Sequence, residues 1–145
     1  MSTIYTIGFT KKPLRQFLDL LGKAGVDAII DTRLRNTSQL AGWAKRDDLE
    51  TILGLVNIAY EHQPELSPTA EILDTYRKDG EWLAYVRKFR PLIASRQIEQ
   101  IGATIFSRHR APCLLCSEAT AEQCHRRLVA EYWAQHQPGL EIVHL

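Results

Sequence analysis

Cys116, Glu118, Cys124, His125, Arg126 and Arg127 fall within twelve consecutive residues. Thiol, carboxylate, imidazole and guanidinium groups gathered this closely are the groups that nucleophilic and acid–base chemistry uses. A thiol becomes reactive when nearby cations or a helix N-terminus lower its pKa. Cys116 meets that description, because it closes the apolar run Pro112–Cys116 and small polar residues then lead into a helix. Glu118, two residues on, could act as acid or base, and His125 could shuttle a proton. The alternative for Cys116 is an inert buried thiol, since cysteine is among the most buried residue types.

Two metal or redox patterns compete with this. Cys116, Cys124 and His125 could hold a metal ion, but no second close-spaced ligand pair completes the usual four-donor set. Cys113 and Cys116 form C-x-x-C, yet they lie inside a predicted strand, whose alternation sends the two thiols to opposite faces. Cys124 and His125 are expected in the first two turns of the last helix, where neighbours diverge by about 100°. They are therefore expected on different faces. Arg126 and Arg127 diverge in the same way, so one of them is expected to reach the site and the other solvent.

Asp31-Thr32-Arg33 ends a second apolar run. In an extended chain Asp31 and Arg33 share a side. Arg33 could clamp a phosphate or carboxylate, with Asp31 orienting it or a substrate hydroxyl; a structural ion pair is the alternative. After this strand comes a polar loop with Ser38, Gln39, Trp43 and Lys45, expected as a binding loop, a lid or an ordinary connection. His62, His109, His136 and His144 have no partners in the sequence and are expected to be structural.

The chain alternates strand and helix patterns. Strands are expected at Ile4–Ile7, Val26–Ile30, Val56–Tyr60, Pro112–Cys116 and Leu140–Leu145. Leu14, Phe17, Leu18 and Leu21 give the i, i+3, i+4, i+7 stripe of a packed helix, with Thr10 as its N-cap and Gly22 and Gly25 at its end. Further helices are expected from Arg46 to a stop at Gly54, after Ser67-Pro68, and around Trp82, Tyr85, Val86 and Phe89. Pro91 is expected to kink or divide that region, and Ile98, Ile101 and Ile105 continue it. Thr120 and Gln123 form a T-x-x-Q capping box for the last helix, whose apolar face is Leu128, Val129, Tyr132 and Trp133. This order predicts an α/β protein: a single-domain, Rossmann-like parallel sheet of about five strands over residues 1–145. Helices cover both faces, with a helical insertion between strands three and four. The expected strand order, 3-2-1-4-5, brings Gly8-Phe9-Thr10, Asp31-Thr32-Arg33 and Cys116-Ser117-Glu118 to one crevice at the C-terminal edge.

The bulk numbers fit a globular domain. The chain has 145 residues, is 45% hydrophobic and 24% charged, and carries a net charge of +1, so nothing global calls for nucleic acid or membrane. Locally, residues 47–74 carry seven acids and no Lys or Arg, whereas residues 77–110 carry eight Lys or Arg against three acids. The second stretch is either a set of solvated helix faces or a basic face for nucleic acid or another anionic partner. Three cysteines, no evident leader and no long apolar run predict a cytoplasmic protein with reduced thiols.

Four segments together resemble the domain-of-unknown-function 488 family: Ile4-Tyr5-Thr6-Ile7-Gly8-Phe9-Thr10, Asp31-Thr32-Arg33-Leu34, Thr37-Ser38-Gln39-Leu40-Ala41-Gly42, and Cys116-Ser117-Glu118 with Cys124-His125-Arg126-Arg127. The resemblance implies a compact bacterial or archaeal α/β protein without an established activity. It implies a site built from Thr6, Gly8, Asp31, Arg33, Cys116, Glu118, Cys124, His125 and Arg126. Many members of the family carry His where this chain has Phe9, and Val where it has Thr32, so a mechanism needing that histidine is not expected here.

Combined, these observations predict an enzyme of hydrolase or transferase type for a small anionic or nucleotide-like substrate. Cys116, Glu118, His125 and Asp31 would carry the chemistry, and Thr6, Gly8, Arg33, Ser38 and Arg126 would bind the anion. The alternatives are a nucleic-acid or regulatory binding module using residues 77–110, and a metal-binding protein through Cys116, Cys124 and His125. The sequence names no cofactor and no oligomeric state.

Overall fold

The computed structural model describes residues 2–37 and 41–145. Five strands form one parallel sheet: β1 (Thr3–Gly8), β2 (Ala28–Asp31), β3 (Ala59–His62), β4 (Pro112–Cys116) and β5 (Glu141–His144). The helices are α1 (Leu14–Ala24), α2 (Arg46–Leu55), α3 (Ala70–Asp79), α4 (Trp82–Ser95), α5 (Ile98–Arg108) and α6 (His125–His136). The α/β, Rossmann-like architecture and the helical insertion between β3 and β4 are as the sequence predicts.

The strand order is β3-β2-β4-β1-β5, which corrects the expected 3-2-1-4-5. β4 lies between β2 and β1, and β5 pairs with the other side of β1. The burial pattern explains the arrangement. β2 and β4 are buried along their whole length, β3 and β5 are half open, and apolar runs buried on both faces belong at the centre of a parallel sheet. The handedness of crossovers sets the layers. α1 and α2 follow the chain in one direction across the sheet, and α4, α5 and α6 follow it back, so the two sets cover opposite faces. One core gathers Ile7, Phe17, Leu21, Ile29, Leu49, Leu53 and Leu115 under α1 and α2. The other gathers Ile30, Leu114, Phe89, Ile93, Ile105, Val129 and Trp133 under α4–α6. Each fully buried Leu, Ile or Phe contributes about 1.5–3 kcal/mol.

Several local boundaries differ from expectation. Thr10 does not cap α1. Its N–H donates to the Ser117 carbonyl at 3.1 Å, Lys11 turns through a φ of 64°, and the helix enters after Pro13. β3 starts at Ala59 because α2 runs past Gly54 to Leu55 and closes through a turn at Asn57, whose φ is 60°. Thr69, one residue beyond Pro68, caps α3 by accepting from the Ile72 N–H. Pro91 lies inside α4, and the chain divides instead at Gln97, with a φ of 54°. The Thr120–Gln123 box does not cap α6: Gln123 accepts from the Tyr76 hydroxyl, and Cys124 is extended at φ −136° and ψ 141°. The helix therefore starts at His125.

Candidate active site

β4 delivers Cys116 between the ends of its two neighbours. Gly8 of β1 lies opposite Cys116, and Asp31 of β2 lies opposite Leu115. Although β4 and β1 exchange places relative to expectation, the three predicted loops still meet. The segment after β4 then folds back over β1. A Cβ on Gly8 would stand 1.5 Å from the Glu118 carbonyl oxygen, so only glycine permits this approach. Lys12 Nζ donates to the Ala119 carbonyl at 3.3 Å. From α6, Arg126 donates to the Glu118 carbonyl at 2.8 Å, to Thr6 Oγ1 at 3.3 Å and to Cys124 Sγ at 3.5 Å. Thr6 Oγ1 also meets His144 Nδ1 at 2.6 Å. Thr6, Gly8 and Arg126 thus form a buried bracket that holds the Cys116–Cys124 loop.

The bracket brings three reactive groups together. The donor atoms of Cys116, Cys124 and His125 all lie within 4.8 Å of one another. The expected divergence of Cys124 and His125 does not occur, because Cys124 precedes the helix and the helical 100° step does not apply to it. His125 Nδ1 is 3.7 Å from Cys116 Sγ, and its Nε2 lies 2.8 Å from the Thr32 carbonyl and 2.9 Å from Thr32 Oγ1. The Thr32 hydroxyl gives its proton to the Leu115 carbonyl at 2.8 Å. Both Thr32 oxygens therefore accept from Nε2–H, and Nδ1 is left facing the thiol. The Cys124 thiol, acting as hydrogen-bond donor, lowers the Cys116 pKa well below the ordinary thiol value against the upward push of burial. The His125 charge, its hydrogen bond and the Glu118 N–H act in the same direction. Burial lowers the His125 pKa, but the Cys116 charge and the bond to the Thr32 carbonyl outweigh it, so the net shift is upward. Burial raises Cys124, and the adjacent Cys116 raises it further. These shifts favour negative charge on Cys116 and keep the proton on Cys124 and His125. Cys113 lies in the opposite core with a pKa pushed far up by burial.

The same three donor atoms could approach one metal ion. A closed structural site requires four, and among the described residues no further Cys, His or carboxylate joins the group.

Asp31 and Arg33 form a buried bidentate pair, with Nε to Oδ1 and NH2 to Oδ2 both at 2.9 Å. The Tyr60 hydroxyl and Asn36 Nδ2 also donate to Asp31. Arg33 NH1 donates to the Ala44 carbonyl at 2.7 Å, and the guanidinium lies 5.3 Å from the centre of the Phe9 ring. These contacts match the structural ion pair that was the alternative to an anion clamp. The pair fixes the turn after β2, and with it the Thr32 oxygens that hold His125.

Above these groups lies a cavity of about 300 Å³, lined by Cys116, Ser117, Glu118, Cys124 and His125 on one side and by Arg33 and Arg35 on another. Tyr76, Arg77, Trp82 and Tyr85 of α3 and α4 complete it. Trp82 stacks on Tyr85 at 5.0 Å and 19°. The volume lies at the lower end of the range for small-molecule sites. Glu118 is exposed at this cavity, whereas Asp31, Thr6 and Gly8 lie beneath it. Ser38 and Gln39 lie outside the described residues. Trp43 packs on Phe17 at 4.9 Å rather than over the cavity. His62, His109 and His144 have partners in Arg33, Glu61 and Thr6. Sequence reasoning missed Thr32, Tyr60 and the Tyr76–Trp82–Tyr85 wall. Thr32 sits inside the Asp-x-Arg signal, but the role of its oxygens depends on α6 lying above them.

A sequence match to the family described as Domain of unknown function DUF488 spans residues 13–133. The chain belongs to that family. No curated protein and no solved structure matches it.

Proposed function

We propose that this member of the DUF488 family is an enzyme of hydrolase or transferase type, with the Cys116 thiolate as nucleophile on a small anionic or nucleotide-like substrate. The observation that carries this reading is the Cys116–His125–Thr32 chain at the floor of a cavity. The Cys116 sulfur lies 3.7 Å from an imidazole nitrogen whose ring is fixed at its far nitrogen by two Thr32 oxygens, the nucleophile–base–orienter pattern of covalent catalysis. Cys116 would attack an electrophilic carbon or phosphorus atom of the substrate. His125 Nδ1–H would protonate the leaving group and later take a proton from water or an acceptor alcohol that releases the product. Glu118 would serve as a second acid or base at the mouth. The arginines of the wall would favour negative charge, and the Trp82–Tyr85 stack would suit a flat ring. Asp31, Thr6, Gly8 and Arg126 become positioning residues in this account.

Limited iodoacetamide treatment at neutral pH, followed by peptide mapping, tests the nucleophile. Cys116 is expected to label first, with Cys113 protected until the protein unfolds. Equal labelling of all three cysteines, or none at Cys116, would remove the proposal. The second reading, a metal ion, rests on the 4.8 Å cluster. Stoichiometric zinc that blocks labelling until chelated would put it first.

A further inference from the structure

We propose that Cys124 is a second catalytic thiol, and that the protein exchanges electrons with small anionic disulfides by closing a Cys116–Cys124 bond. This rests on Cys116 being the nucleophile and adds an activity to it.

The geometry is that of an attacking and a resolving thiol. Both sulfurs belong to one cluster spanning no more than 4.8 Å and both line the cavity. Cys124 occupies an extended position before α6, in a turn rather than in a helix or strand. Cys124 on loop backbone can close to bond distance on Cys116 at the strand end more easily than a second thiol locked within the sheet could. Cys113 cannot substitute, since it lies on the other face of β4 among the residues packed under α1 and α2.

The charges supply an order of events. While Cys116 is a thiolate, its charge keeps the Cys124 proton in place. Attack on a disulfide RSSR forms Cys116–S–S–R and releases RS⁻, which removes that charge. The Arg126 guanidinium, 3.5 Å from Cys124 Sγ, remains and favours the Cys124 thiolate. Cys124 then gives its proton to the departing RS⁻ through His125 and attacks Cys116 Sγ. The Cys116–Cys124 bond forms and the second RS⁻ leaves. The two protein thiols are oxidised, and RSSR is reduced to one thiol and one thiolate. Arginines lining the cavity, Arg77 among them, favour carboxylate-bearing leaving groups.

Reduced protein incubated with glutathione disulfide, acid-quenched and weighed intact tests this. The wild type is expected to lose two hydrogens, mapped to a Cys116–Cys124 crosslink. C124S is expected to stop with one glutathionyl group on Cys116, C116S to do neither, and C113S to behave as wild type. If Cys116 alkylates first with iodoacetamide yet the wild type forms no crosslink, this inference fails and the nucleophile assignment stands. If Cys116 does not alkylate, both fail.

Discussion

Asp31 is a buried carboxylate held by five donor atoms: the Arg33 backbone N–H, two nitrogens of its guanidinium, the Tyr60 hydroxyl and Asn36 Nδ2. Burial pushes its pKa up, but the bonds from Arg33 and Tyr60 outweigh that and hold it below the usual carboxylate value. A carboxyl with a folded pKa below its unfolded one contributes stability above the ordinary carboxylate range. That contribution is lost as pH falls through the folded value. Asp31→Asn leaves the Arg33 charge buried without its partner and should cost about 3–5 kcal/mol at neutral pH. Urea unfolding of the two proteins at pH 7 and at acid pH checks this, and the difference between them should shrink as the pH falls. Unchanged urea midpoints at pH 7 would mean that the pair contributes nothing. This pairing was half legible: the Asp-x-Arg spacing put both groups at a strand end, but Tyr60 and the Ala44 carbonyl come from segments distant in sequence.

At the scale of elements, the site depends on a turn lying against a strand. Gly8 of β1 is the point of contact with the Glu118 carbonyl, and Arg126 holds that carbonyl from above. Gly8→Ala forces the turn away from β1 and carries the Glu118 N–H and Cys124 away from Cys116. Overpacking of this kind costs about 1–3 kcal/mol. The pH midpoint of Cys116 alkylation should rise by about one unit, a tenfold loss of thiol acidity. A variant that keeps the wild-type midpoint would show that the turn does not set the thiol's acidity. The helix that follows the turn was legible from its apolar face, but its first residue was not. The Thr120–Gln123 pattern satisfied the capping rule, whereas Gln123 is engaged by Tyr76 and the chain stays extended through Cys124. That displacement of a few residues turns Cys124 toward Cys116 when strict helical periodicity would turn it away.

Across the whole molecule, alternating patterns of apolar runs and helical stripes were enough for the fold class, because parallel sheets require them. The strand order was not, since it depends on which buried run lies beside β2, and β1 and β4 are both short apolar runs in the sequence. The two charged stretches also acquire a meaning only in three dimensions. Glu65 and Glu61 from the acidic stretch pair with Arg96 and Arg108 from the basic one, and Arg90 pairs with Glu131. Part of the basic stretch is thereby engaged within the chain. Among the described residues no helix is long and apolar enough to cross a membrane. What the architecture concentrates at one edge is the set of groups around the Cys116 thiol. Around Cys116 stand Cys124, His125 and Arg126 from α6 and the turn before it, Glu118 from the loop, Arg33 beyond β2, and Tyr76 and Tyr85 from α3 and α4. The rate of Cys116 alkylation as a function of pH, in wild type and in His125→Gln, measures that thiol directly. The wild-type midpoint should lie well below the ordinary thiol value of about 8.5, and the His125→Gln midpoint should rise toward it. A wild-type midpoint at or above that value, or one unmoved by loss of the imidazole, would contradict the account.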